Sequence, residues 1–103
     1  MVWLRSTGAS TLAVKVFFIA KAKNLNDEYR EYSKQLRELG TNHPGFISIE
    51  SEEFGDVEIT ISTWRSKADV ADWARDPVHL EAKARAGEWY DWVRGIHVEV
   101  VDD

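Results

Sequence analysis

Residues 12–21 (LAVKVFFIAK) concentrate β-branched and aromatic side chains and predict a strand. Val14, Val16, Phe18 and Ala20 fall on one face of it, Ala13, Lys15, Phe17 and Ile19 on the other. After a turn at Lys23-Asn24 the apolar period changes to three and four. Leu25, Tyr29, Tyr32, Leu36 and Leu39 form one stripe, which predicts a helix over 26–39. Asn24 or Asn26 is placed to cap that helix, Asp27 and Glu28 suit its first turn and Arg37 its last, and Gly40 reads as its end. His43-Pro44-Gly45 then has the composition of a turn. Residues 46–51 alternate as a strand, and 52–56, with Gly55, read as a hairpin loop. Residues 57–65 (VEITISTWR) alternate again, Val57, Ile59, Ile61 and Thr63 opposing Glu58, Thr60, Ser62 and Trp64.

Four of the five tryptophans lie between 61 and 92 (ISTWRSKADVADWARDPVHLEAKARAGEWYDW). Ser66 occupies an N-cap position with Asp69 three residues on, and Ala68, Ala71, Trp73 and Ala74 follow at helical spacing. Asp76-Pro77 closes that helix and opens another, since Asp caps and Pro suits the first turn. The second helix is predicted to run about ten residues, to a C-cap at Gly87. Trp89, Tyr90 and Trp92 then lead into a last strand over 93–101, with Ile96, Val98 and Val100 on one face. The order β-α-β-β-α-β predicts an α+β, ferredoxin-like fold, an antiparallel four-stranded sheet with its helices on one face. The other face still carries apolar residues and needs a cover. Residues 1–11 show no period and read as a tail, ordered only if Trp3 and Leu4 dock; 12–101 read as a single domain.

Composition narrows the classes of partner. A chain of 103 residues with 44% hydrophobic and 30% charged residues suits one globular domain. A net charge of −5, with no basic run, argues against nucleic acid. Without cysteine there is no disulfide framework, thiolate nucleophile or Cys-based metal site, which is compatible with a cytoplasmic setting. The apolar run Leu12–Ala20 is interrupted by Lys15 and is too short to span a bilayer, so no membrane association is expected.

The candidate chemistry is sparse. No Gly-rich phosphate loop, G-x-S-x-G or H-E-x-x-H is present, and His43, His79 and His97 are not at metal-ligand spacings. Most carboxylates read as solvated surface, including those of residues 50–58. His97 alternates with Ile96 and Val98 as a sheet residue, and His43 reads as an exposed turn residue. His79 differs: it falls in the first turn of the second short helix, near Trp73, with Lys83 one turn on. An imidazole there is either an inert surface group or a proton acceptor working near neutrality. Phe18, Tyr29, Trp64, Trp73, Trp89, Tyr90 and Trp92 either fill a large core or line a pocket for a flat aromatic molecule, with Trp89 and Trp92 also candidates for a dimer patch.

The order W-R-S-K … A-D-W-A-R-D-P-V-H-L-E-A-K-A-R-A-G-E-W-Y-D-W, with H-P-G-F-I-S-I-E-S at 43–51, resembles the antibiotic biosynthesis monooxygenase domain family over roughly residues 12 to 101. The resemblance implies a dimeric α+β barrel and an oxygenase without metal, flavin or haem, acting on an electron-rich aromatic such as a phenol, quinol or anthrone. It implies His79 as base, Phe18, Trp64 and Trp73 as walls, Trp89 and Tyr90 beside the substrate, and Tyr29 as a hydrogen-bond donor. Two other readings are compatible: a haem-binding or haem-degrading branch, and a non-catalytic small-molecule-binding or stress-response dimer. The haem-degrading members place a His ligand where this chain has Lys83, and an Asn near Phe18, so His79 would have to serve as ligand.

Overall fold

The computed structural model describes residues 11–101; the tail expected at 1–11 lies, except for Thr11, outside the described residues. The elements are β1 (Thr11–Ala22), α1 (Asp27–Thr41), β2 (Phe46–Phe54), β3 (Val57–Trp64), α2 (Lys67–Ala74), α3 (Pro77–Trp89) and β4 (Tyr90–Val101). The strands form one antiparallel sheet in the order β2-β3-β1-β4. This is the ferredoxin-like α+β arrangement, with the second helical segment divided at Arg75-Asp76.

Local chemistry accounts for most element ends. Asn26 caps α1, its side-chain oxygen accepting from the Tyr29 N–H at 2.9 Å. Ser66 caps α2 by accepting from the Asp69 N–H, and its own hydroxyl donates to the Asp69 carboxylate at 2.7 Å. Asp76 caps α3 through the Val78 N–H, with Pro77 at the first helical position. Between β2 and β3 the turn is only Gly55-Asp56, shorter than the 52–56 loop expected, because Glu53 and Phe54 stay paired with Glu58 and Val57. Gly55 takes φ +62°, and among the described residues no non-glycine residue has positive φ, which fits a type II′ hairpin.

Two glycines expected to end helices do not. α1 runs through Gly40 to Thr41, and Asn42 closes it. Gly40 is buried, and a Cβ there would lie 3.3 Å from the Trp73 indole nitrogen, so its role is close packing. α3 runs through Gly87 to Trp89, because its terminal carbonyls find other donors. The Lys23 and Asn24 N–H groups bond to the Trp89 carbonyl, and the Lys23 ammonium bonds to that of Gly87 at 2.6 Å.

The turn at 43–45 is also tighter than its composition suggests. His43, expected to be exposed, is only 14% so at its side chain and rests edge-on against Trp64, with ring centroids 5.5 Å apart. Its Nδ1 accepts from the Gly45 N–H at 3.0 Å, so the ring proton sits on Nε2 and is donated to Asp72 at 2.8 Å. That hydrogen bond holds the Asp72 carboxyl below its usual range. A Cβ on Gly45 would lie 2.1 Å from Cγ of Asp69, which Ser66 already holds. Gly45→Ala is therefore expected to destabilise the fold by roughly 1–3 kcal/mol, readable as a lower urea midpoint at unchanged slope.

The sheet is amphipathic in an unusual sense. Register places Glu58, Thr60, Ser62 and Trp64 of β3 beside Ala20, Phe18, Val16 and Val14 of β1, the face on which the helices pack. The opposite face presents Val57, Ile59 and Ile61 beside Lys21, Ile19 and Phe17, with Trp92, Ile96 and Val98 of β4. On β3 the more apolar face is thus the uncovered one, while a polar column lies under the helices. Phe54 and Ile96 on the open face are 63% and 47% exposed. Beneath the helices are two core clusters. One gathers Ala20, Ala82, Trp89 and Tyr90, the other Val14, Trp64 and Val70.

Candidate functional site

The seven aromatic residues singled out in the sequence separate into three places. Trp64 and Trp73 join the cluster around Val14; Phe18, Tyr29, Trp89 and Tyr90 join the cluster around Ala20. Trp92 stands on the far side of the sheet, paired with Lys21. Trp89 is 2% exposed and belongs to the interior, which removes it from any patch on the surface.

His79 is held at the first of these groups. Trp64, 1% exposed, donates its indole N–H to Ser62 at 2.9 Å and stacks at a tilt on Trp73, centroids 4.9 Å apart. Trp73 lies in the last turn of α2, four residues before Pro77 starts α3, and the capped joint brings His79 back over its ring at 4.3 Å. The His79 Nδ1 lies 3.3 Å from the Trp73 carbonyl oxygen. A carbonyl only accepts, so Nδ1 carries the proton and the neutral ring keeps a lone pair on Nε2. Burial holds the His79 pKa below the ordinary 6.5, with Lys83 adding a smaller push in the same direction. This corner of the fold therefore contains a neutral imidazole, packed on an indole, with a basic nitrogen available near pH 7.

The second group is built around phenols. Tyr29 meets Trp89 and Tyr90 edge-on, at 5.6 and 5.7 Å, and Phe18 meets Tyr90 edge-on at 5.7 Å. The Tyr90 hydroxyl lies 3.0 Å from that of Tyr29 and 3.3 Å from Oε1 of Glu58. Burial raises the Tyr90 pKa far above the usual phenol value, so its hydroxyl stays protonated. Arg85 closes the outside of this group, lying over the rings of Tyr32 and Trp89 and bonding to Glu28 and Glu88. Tyr32 bonds in turn to Glu81, tying α1 to α3.

Glu58 was missed in the sequence, where its neighbours in 50–58 read as a solvated acidic loop. Its signal was alternation with Thr60 and Ser62, which became informative only once the covered face was known. An open cleft of about 480 Å³ runs between α1 and the start of α3, lined by Gln35, Glu38, Leu39, Asn42 and Val78. None of the candidate aromatic residues lines it. Among the described residues no group of three or more His, Asp or Glu could hold a metal ion, and no helix is long and apolar enough to cross a membrane.

Comparison with known proteins places this geometry in context. No protein-family profile matches the chain. YqjZ of Bacillus subtilis, itself uncharacterised, is 30% identical over 78 residues, covering 74% of this chain and 68% of YqjZ. Among solved structures, Rv0793 of Mycobacterium tuberculosis superposes with a TM-score of 0.75 at 17% identity, over 88% of this chain and 97% of that one. SnoaB, a cofactor-independent oxygenase of Streptomyces nogalater, gives 0.71 at 10% identity, over 88% and 95%. A Nitrosomonas europaea protein provisionally assigned as an antibiotic biosynthesis monooxygenase gives 0.74 at 11% identity, over 88% and 92%. The chain belongs to the same family as YqjZ, and its fold is that of the antibiotic biosynthesis monooxygenase domain family.

Proposed function

We propose that this protein is a cofactor-independent monooxygenase that oxidises a small electron-rich aromatic molecule, of the phenol, quinol or anthrone kind, with dioxygen. The observation that carries this reading is the His79–Trp73 pair: a half-buried neutral imidazole whose proton is fixed on Nδ1, leaving Nε2 as a base. The likeness in fold to SnoaB supports it, as does the density of aromatic side chains beneath the helices.

In this reading Trp73 supplies a flat apolar wall and Nε2 of His79 takes the acidic proton of the substrate, while Trp64 backs Trp73 from the core and Phe18 belongs to the neighbouring cluster. The resulting carbanion reduces dioxygen, forming a carbon–oxygen bond and a peroxy anion, which takes the proton back from the imidazolium. Loss of water from that hydroperoxide leaves a carbonyl. A CH₂ group and O₂ become C=O and H₂O, so the oxidant is dioxygen alone and no external reductant is consumed. The protein contributes a water-poor site and an oriented base, effects of the size general base catalysis commands.

The haem reading has weaker support. Lys83 is exposed and its ammonium has no lone pair for iron, and the Phe18 ring is committed to Tyr90. His79 is the remaining donor, and a haem titration followed through the Soret band, with His79→Ala alongside, separates the two readings. A stoichiometric shift lost in the variant would favour haem; flat spectra are expected. A binding protein without catalysis would take up the aromatic molecule and consume no oxygen.

The reading includes a homodimer formed through the open sheet face. On this face Ile61 lies between Glu50 and Phe17 at the middle of the sheet. Removing so many apolar side chains from water is favourable at about 25 cal/mol per Å², whereas a second carboxylate buried there beside Glu50 is costly. Light scattering is expected to show twice the 11.8 kDa chain mass for the native protein and the single mass for Ile61→Glu. A native monomer would contradict the assignment of this face.

A further inference from the structure

The polar column of β3 lies where a core would ordinarily be apolar, and its members are used differently. Ser62 is occupied by the Trp64 indole. Glu58 and Thr60 instead meet hydroxyl groups: Tyr90 lies 3.3 Å from Oε1 of Glu58, Thr60 lies 3.3 Å from Oε2, Tyr29 lies 3.0 Å from Tyr90, and Ser51 lies 3.0 Å from Thr60. One phenol proton cannot serve both neighbours of Tyr90. A carboxylate accepts only, so the single consistent arrangement has Tyr90 donating to Glu58 and Tyr29 donating to Tyr90. By the same logic Thr60 donates to Glu58 and Ser51 to Thr60. Every hydroxyl hydrogen in the cluster then points toward one carboxylate.

Tyr90 is enclosed at 7% exposure, while Tyr29 and Glu58 are half-buried, so the chain of hydrogen bonds has two outer ends. Both ends are oxygen lone pairs. Tyr29, expected from the sequence to donate, has its hydrogen turned inward and offers an acceptor. Phe18 against Tyr90 and Trp89 against Tyr29 provide apolar surface around these oxygens.

We propose that the Tyr29–Tyr90–Glu58 cluster is a ligand-recognition site that selects a hydrogen-bond donor, the phenolic or enolic hydroxyl of an aromatic molecule, against an ether or carbonyl of the same shape. It rests on the aromatic-substrate reading above and adds the group by which such a molecule is oriented. A phenol donates into the free lone pair of the cluster and continues the chain. An ether or ketone oxygen can only accept, and meets lone pairs with lone pairs. Desolvating an acceptor without a donor is unfavourable, so discrimination follows from the direction of the hydrogen bonds.

The test is a titration of tryptophan fluorescence with 1-naphthol and with 1-methoxynaphthalene. The ether is the more apolar of the two, so simple burial would favour it. The native protein is expected to bind the naphthol about tenfold more tightly. Tyr29→Phe, which keeps the ring against Trp89 and Tyr90, and Glu58→Gln, whose amide can donate, are each expected to bring the two affinities within about twofold. Circular dichroism confirms that both variants are folded. Equal binding by the native protein, or a preference that survives both substitutions, would overturn the cluster as a recognition site and leave the aromatic-binding reading standing. Binding of neither molecule would overturn both.

Discussion

Trp64→Ala is expected to cost about 3–5 kcal/mol of folding stability, the range for removing a buried indole from a packed core. Among the described residues Trp64 is the largest fully buried side chain, and it joins β1, β2 and α2 through Val14, Phe46, Val70 and Trp73. Phe46 packs edge-on at 5.6 Å, His43 edge-on at 5.5 Å, and Trp73 lies across it at 4.9 Å. Truncation opens a cavity among these rings and leaves the Ser62 hydroxyl without its indole donor. Urea unfolding followed by circular dichroism reads the loss directly, and Trp64→Phe should recover most of it. A loss under about 1 kcal/mol would mean that the tryptophan stack is not what joins α2 to the sheet.

For the proposed oxygenation, His79→Ala is expected to lower kcat/KM by about 10²–10⁴-fold while leaving the circular dichroism spectrum unchanged. The acid limb of the native pH profile should have its midpoint below 6.5, because burial disfavours the imidazolium and Nε2 remains basic into mildly acidic solution. The same shift links to stability. A histidine whose folded pKa is depressed contributes stability that is fully present above 6.5 and is lost as pH falls through the lower folded value. The histidine contribution to acid sensitivity should therefore begin just under pH 6.5 and disappear in His79→Ala. A profile with no acid limb, or an unchanged rate in the variant, would remove His79 from the chemistry.

The strands, helices and caps were legible because each rests on local chemistry. Asn26, Ser66 and Asp76 are caps whose side chains reach their own helix, and the alternation of Val57 to Trp64 sets two faces without outside help. What could not be read depends on distant partners. Gly40 looked like a helix end, but it is required by an indole more than thirty residues away; Gly87 looked like another until Lys23 and Asn24 were seen to satisfy the carbonyls beyond it. His43 is fixed by Asp72, from a different helix.

The site was partly legible for the same reason. His79 and Trp73 are six residues apart across a proline joint, close enough for spacing to suggest their contact. Glu58 meets Tyr90, which in turn meets Tyr29, and nothing in the neighbourhood of Glu58 along the chain predicts either link. The apolar side of β3 looked like a core face and is one only if a second surface covers it. Local pattern gave the alternation; which side faces the helices is set by the register of β1 against β3.

The most direct test of the proposed activity is oxygen uptake by chelator-treated protein supplied with an anthrone, the product being followed by its absorbance. The account predicts one dioxygen consumed per anthrone converted, with no added reductant, at a rate well above buffer and strongly reduced in His79→Ala. Uptake no faster than in buffer across a panel of anthrones and quinols would contradict it, and would favour the reading of a small-molecule-binding dimer without catalysis.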